Sequence, residues 1–151
     1  MSSPAFLPTL RELARAYQAF ESYSTAHIRM LDLTPAQFDI IATLGNTSGM
    51  PLKELGEKSL ITKGTLTGVV DRLVDKNLVR RIASPSDGRS QIVQLTGTGE
   101  ALFTRVFPAH LAHIGRAFID LSPQELNAME ATLHRLREVF ESARAGMKES
   151  L

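Results

Sequence analysis

LKELGEKSLITKGTLTGVVDRLVDKNLVRRIASPSDGRSQIVQLT, residues 52–96, is the stretch whose reading decides the fold. Leu52 and Leu55 share one side of a short helical pattern whose other side carries Lys53, Glu54, Glu57 and Lys58. The pattern breaks at Ser59-Leu60-Ile61. Thr62 then suits the N-cap of a second helix, since its hydroxyl can accept a first-turn N–H. In that helix Leu66, Val69, Val70 and Leu73 recur at i, i+3, i+4, i+7, which predicts one buried stripe. After Lys76-Asn77 the pattern turns strand-like. Leu78-Val79-Arg80-Arg81-Ile82 and Gln91-Ile92-Val93-Gln94-Leu95 flank Ser84-Pro85-Ser86-Asp87-Gly88-Arg89, a run of turn formers. Helix, turn, helix, hairpin is the order of a winged helix-turn-helix, whose second helix suits a DNA major groove.

The face opposite the stripe fits that use. It shows Lys63, Gly64, Thr67, Gly68, Asp71 and Arg72, with Thr65 at its edge. Each glycine weakens a helix by roughly 0.5–1 kcal/mol relative to alanine, so two of them one turn apart point to something approaching closely. Thr65 and Thr67 offer hydroxyls for base edges and methyls for a thymine methyl, and Lys63 and Arg72 reach guanine or phosphate. At the hairpin tip Arg89 is placed to enter a minor groove, while Asp87 shapes the loop rather than meeting phosphate. Lys53, Ser59 and Arg81 are expected on phosphates. With Thr62, Gly64 and Gly68 lining the approach, these residues make up the expected DNA surface. Residues 52–96 hold eight Lys/Arg against five acids, whereas the whole chain is only +1. The positive charge sits where DNA would lie, but the excess is weak, so one copy should bind loosely.

The same residues carry a resemblance. Leu33-Thr34-Pro35-Ala36-Gln37-Phe38, Pro51-Leu52-Lys53-Glu54-Leu55, Ile61-Thr62-Lys63-Gly64-Thr65-Leu66-Thr67 and Asp71-Arg72-Leu73 come in that order. Leu78-Val79-Arg80-Arg81, Asp87-Gly88-Arg89, Val93-Gln94-Leu95-Thr96 and Gly99 follow. In this order and spacing the chain resembles the MarR family of transcriptional regulators. It departs at Asn77, where the family usually has glycine; Asn is the next best residue for a left-handed helix cap. The resemblance implies a two-fold dimer on DNA and a small effector, often a phenolic or other aromatic acid, between the dimer helices and the DNA-binding lobe.

The flanking chain supplies the remaining helices. Leu10, Leu13, Tyr17, Phe20, Ser24, Ile28 and Leu31 recur at three-four spacing and predict a helix from Pro4 to about Leu31. Thr34-Pro35 opens another to about Leu44, with Phe38, Ile41 and Leu44 inward. Residues 45–49 read as a loop, and Met50 is placed to add a short strand beside the wing. Gly97-Thr98-Gly99-Glu100 starts a helix to Leu121 that Pro108 should bend or break. Ser122-Pro123-Gln124-Glu125 has capping-box spacing. The last helix carries Leu126, Met129, Leu133, Leu136 and Phe140, and the polar tail after about Arg144 should fray.

The expected architecture is therefore mainly α: a single domain over 1–151, with a winged helix-turn-helix at 34–96 and a helical dimerisation region at 1–33 and 97–146. A small winged domain cannot bury three further amphipathic stripes, so Leu10, Leu13, Leu126, Met129, Leu133, Leu136 and Phe140 are expected at a homodimer interface. With no cysteine, disulfides and thiol redox sensing are excluded. No apolar run of membrane length and no signal pattern is present, so the expectation is a cytoplasmic protein without membrane contact.

Candidate effector residues are Tyr17, Phe20, Tyr23, His27, Arg29 and Phe38, joined by Phe107 and His110, a mixed apolar and polar set. Residue by residue, Phe20 and Phe38 read as core and Tyr23 and His27 as interface rim. His110 and His113 are three apart, but no Asp or Glu lies within 107–116, so no metal or other cofactor is expected. No catalytic set appears, and Gly97-Thr98-Gly99 is too short for a phosphate loop. The reading is a dimeric, ligand-responsive repressor on double-stranded operator DNA. A dimeric winged-helix module for protein contact remains the alternative, and steep salt dependence separates the two.

Overall fold

In the computed structural model, which describes residues 2–150, two of the helix starts are fixed by reciprocal capping hydrogen bonds. Helix α1 spans Leu7–Met30, and Asp32, at a φ of 60°, turns the chain out of it. Thr34 Oγ1 accepts the Gln37 N–H at 3.1 Å while Gln37 Oε1 accepts the Thr34 N–H at 3.2 Å. This capping box, with Pro35 in the first turn, starts α2, Pro35–Leu44. Strand β1 (Met50–Pro51) leads into α3 (Leu52–Lys58), and α4 follows at Lys63–Asp75. Strands β2 (Val79–Ala83) and β3 (Gln91–Leu95) form the hairpin. The antiparallel sheet has the order β1-β3-β2, with Met50 opposite Val93 and Val79 opposite Leu95. Met50 thus adds the expected strand beside the wing.

The core is the place where these elements hide their stripes. Ile40, Ile41 and Leu44 of α2, Leu55 of α3, Val70 and Leu73 of α4, and Val79 and Val93 of the sheet are fully buried. Leu66 and Val69 complete the α4 stripe. Burying each such side chain stabilises by about 1.5–3 kcal/mol, which is what seats α4 against the sheet.

A tight joint ties α4, the wing and the next helix. Asn77 takes a φ of 59°, and Leu78 N–H reaches back to Leu73 O at 3.0 Å, closing α4 in a left-handed cap. Thr96 Oγ1 donates to Asn77 O at 2.7 Å and accepts the Gly99 N–H at 3.0 Å, starting α5, Gly97–Ala117. A Cβ on Gly99 would stand 2.0 Å from Leu78 O, so the close approach itself requires glycine.

The chain divides into a unit up to Ile114 and a second from Gly115 onward. Two expectations change here, and the choice between a bent and a broken α5 narrows to an unbroken helix. Helix α5 stops at Ala117, not Leu121: Phe118 N–H bonds Gly115 O and Leu121 N–H bonds Phe118 O, which are tightening turns rather than helix. Pro108 does not break α5; one proline forfeits one helical bond, and the helix continues on both sides of it. Helix α6, Pro123–Ser150, runs through the polar tail instead of fraying. Its start is the expected capping box, Ser122 Oγ accepting from Glu125 N–H and Glu125 Oε2 from Ser122 N–H. No residue of α6 is buried, and Leu133 on its apolar face is 57% exposed.

Candidate nucleic-acid interface

Helix α4 presents a bare, donor-rich face. Lys63, Gly64, Thr65, Thr67, Gly68 and Arg72 are all exposed, and no atom lies within 4 Å of a Cβ built on Gly64 or Gly68. Among the described residues nothing therefore packs against the two glycines. Thr62 is the N-cap by position, yet its hydroxyl makes no cap bond and instead meets Thr65 Oγ1 at 3.1 Å. The first-turn N–H groups of α4 thus lack the side-chain acceptor expected of Thr62, at a helix end that favours anions.

Two expected phosphate contacts read differently. Ser59 is 7% exposed, so its buried hydroxyl has no surface to offer. Arg81 donates to Asp71 Oδ1 at 2.5 Å. Asp71 lies next to Arg72 on the exposed side of α4, and Arg81 neutralises a charge that would repel phosphate there. Lys53 is exposed on α3, as read. In the wing, Asp87 Oδ1 accepts the Arg89 N–H at 3.0 Å and Asp87 O accepts the Ser90 N–H at 3.1 Å. Asp87 shapes the loop as expected and leaves Arg89 exposed at its tip.

A cavity of about 540 Å³ lies in the first unit between α1, α2, α5 and the start of α4. Of the candidate effector residues, Tyr17, Phe20, Phe38 and His110 line it, whereas Tyr23, His27, Arg29 and Phe107 do not. Phe107 stacks on Phe103 at 5.0 Å between centroids. Phe38 is core, but Phe20 is exposed rather than core. Sequence reasoning missed the far wall: Asp39, Leu60, Ile61, Thr62 and Thr65. A carboxylate inside the apolar run Phe38-Asp39-Ile40-Ile41 was the available signal. Asp39 Oδ2 accepts the Leu60 N–H at 2.7 Å and so holds the turn entering α4. Burial pushes its carboxyl above the usual range, partly offset by the Leu60 N–H and the Thr43 hydroxyl.

Beside the cavity, three imidazoles join α1 to α5. His27 Nδ1 and His110 Nδ1 are 2.9 Å apart, and His27 stacks on His113 at 4.5 Å between centroids. His110 Nε2 meets Ser24 Oγ at 3.1 Å, and Tyr23 donates to His113 O at 2.8 Å. His110 is 7% exposed. Burial, then the His27 and His113 charges, lower its pKa. A depressed histidine contributes stability that is present above its ordinary value and lost as pH falls through the folded one. Below about pH 6.5 the melting temperature should therefore fall. A His110→Asn variant should show a shallower fall between pH 8 and pH 5.5 in a calorimetric series; an unchanged slope would assign it elsewhere.

A winged helix with an open, cationic, glycine-lined second helix and a basic wing tip defines the class as DNA-binding. Comparison with known proteins agrees. Residues 33–91 match the MarR family. The chain is 35% identical over 124 residues to the HTH-type transcriptional regulator MhqR of Bacillus subtilis, covering 82% of this chain and 86% of that one. Its fold is similar to that of Bordetella bronchiseptica BpsR, whose DNA binding is regulated by 6-hydroxynicotinic acid. That likeness has a TM-score of 0.79 at 26% identity and covers 91% and 98% of the two chains. It is also similar to a mutant of E. coli MarR complexed with operator DNA, with a TM-score of 0.76 at 25% identity over 89% and 99%. The chain belongs to the MarR family: it is a DNA-binding transcriptional regulator. Its relatives are regulators rather than enzymes. Among the described residues no helix is long and apolar enough to cross a membrane.

Proposed function

We propose that the chain acts as a homodimeric repressor that reads a pseudo-palindromic operator and releases it when a small effector enters the α1–α2–α5 cavity. The observation that carries this reading is the exposed face of α4, bare at Gly64 and Gly68 and flanked by Lys63, Thr65, Thr67 and Arg72. In the proposed complex these side chains meet the major groove, Arg89 enters the minor groove, and Lys53 meets phosphate. Residues 34–96 are the DNA-binding lobe, and 1–33 with 97–146 form the dimer helices. An apolar groove of about 980 Å³ along α6, lined by Phe118, Leu126, Met129 and Leu133, supports a second copy as its cover. Leu136 and Phe140 lie further along α6, and Leu10 and Leu13 of α1 are proposed to join the interface with the second copy. Two copies related by a two-fold axis present their α4 helices about 34 Å apart, one DNA turn. Thr65 belongs to both the cavity wall and the α4 face, so ligand and DNA oppose each other by linkage.

Sedimentation of the free chain tests the dimer, which is the expected species at micromolar concentration. A Leu133→Glu variant should shift toward monomer and lose operator affinity together, because half the contacts go with the partner. A wild-type monomer that binds operator tightly would contradict the reading. At the wing, Arg89→Ala should weaken DNA binding by about 1–3 kcal/mol with the melting temperature unchanged. Full operator affinity in that variant would remove Arg89 from the contact.

A further inference from the structure

The cavity carries information about the charge of its occupant. Tyr17 and Phe20 of α1 line one side, both about half exposed in the chain, and Phe38 lines another. Besides the Tyr17 phenol, the ionisable groups on its wall are Glu21, Asp39 and the imidazole of His110, and among the described residues no lysine or arginine lines it. A carboxylate ligand would meet two acids and no cation there, with only a buried imidazole of depressed basicity to answer it. Aromatic faces with anionic side chains at the rim suit the opposite charge, because a cation is drawn to the ring faces as well as to the carboxylates. We propose that the effector of this chain is an amphipathic organic cation, an ammonium or related centre on an aromatic body, held by Tyr17, Phe20 and Phe38 with Glu21 and Asp39 as its counter-charges. The aromatic-acid class implied by the family resemblance is then not the one this cavity selects.

The same residues give the ligand a route to DNA. Asp39 already accepts the N–H of Leu60, which is 83% exposed in the turn before α4. A cation that competes for this carboxylate loosens the turn, and Thr65 passes the change to the α4 face. This deepens the proposed ligand control and rests on it. The test uses two probes of one shape and opposite charge, tetraphenylphosphonium and tetraphenylborate, titrated calorimetrically into the full chain beside salicylate. The phosphonium should bind at least about tenfold tighter than the borate or salicylate. Glu21→Gln and Asp39→Asn should each remove most of that preference; Glu21 is exposed on α1, so its change does not touch the core. Equal or tighter binding of either anion, no saturable binding of the phosphonium, or a preference unchanged in both variants would overturn the assignment. Operator binding measured without any probe separates the two readings: it survives failure of the cation assignment and fails only with the regulator itself.

Discussion

A Gly68→Glu variant should melt at or above the temperature of the parent while its operator affinity falls by about 100-fold or more. The two halves of this expectation have separate causes. A Cβ at Gly68 meets nothing within 4 Å, and glycine in a helix interior costs about 0.8–1 kcal/mol relative to a good helix former. The folded chain therefore accommodates the longer side chain freely and gains helix propensity. In the proposed complex the same side chain fills one of the two bare positions on α4, Gly64 and Gly68, that let backbone approach the groove, and it brings a negative charge toward phosphate. Gly68→Ala should show the intermediate case, a small rise in stability and a smaller loss of affinity. Thermal melts and binding titrations on the three proteins settle the matter, and a Glu variant that binds DNA as well as the parent would move the interface off this face.

Gly99→Ala should have the largest effect on folding, a loss of at least about 3 kcal/mol, since strain against backbone belongs to the severe class of substitutions. The added methyl would stand 2.0 Å from Leu78 O, an atom that cannot swing aside. Leu78 O also accepts the Thr96 N–H at 3.1 Å, so displacing it opens the junction of α4, the wing and α5. In a chain of this size the melting temperature should drop by about 6–12 °C. An alanine variant within a degree or two of the parent would mean that the joint relaxes at little cost. The sequence marked this glycine through the family resemblance and as part of a helix start, without a reason for glycine there; the structure supplies the physical reason.

What could be read in the sequence was what local periodicity and local hydrogen bonding determine. The Leu66, Val69, Val70, Leu73 stripe set the buried side of α4 and, by subtraction, its exposed face. The Thr34 and Ser122 caps were legible because donor and acceptor lie three residues apart. The left-handed conformation of Asn77 followed from the residue type that stands where a helix must end. The illegible features join residues distant in the chain. Asp39 and Leu60 are 21 residues apart, and Ser24 and His110 are 86 apart, so neither pairing leaves a periodic trace. Arg81 looked like a phosphate ligand because nothing local announced Asp71 as its partner. Ser59 looked exposed because a polar residue at a helix end usually is. For the cavity, aromatic content suggested the α1 side, while the charge of its lining became readable only once α2 and the α3–α4 turn were folded around it.

The central claim is that α4 and the wing bind a specific operator. Fluorescence-anisotropy titration of the purified chain against duplex DNA flanking its own gene, beside a scrambled duplex and at two salt concentrations, tests it most directly. The account predicts tight binding to the flanking DNA, weaker binding to the scrambled duplex by about 10³-fold or more, and a steep loss of affinity as salt rises. Equal affinity for both duplexes, or binding indifferent to salt, would contradict it and favour a winged-helix dimer built for protein contact.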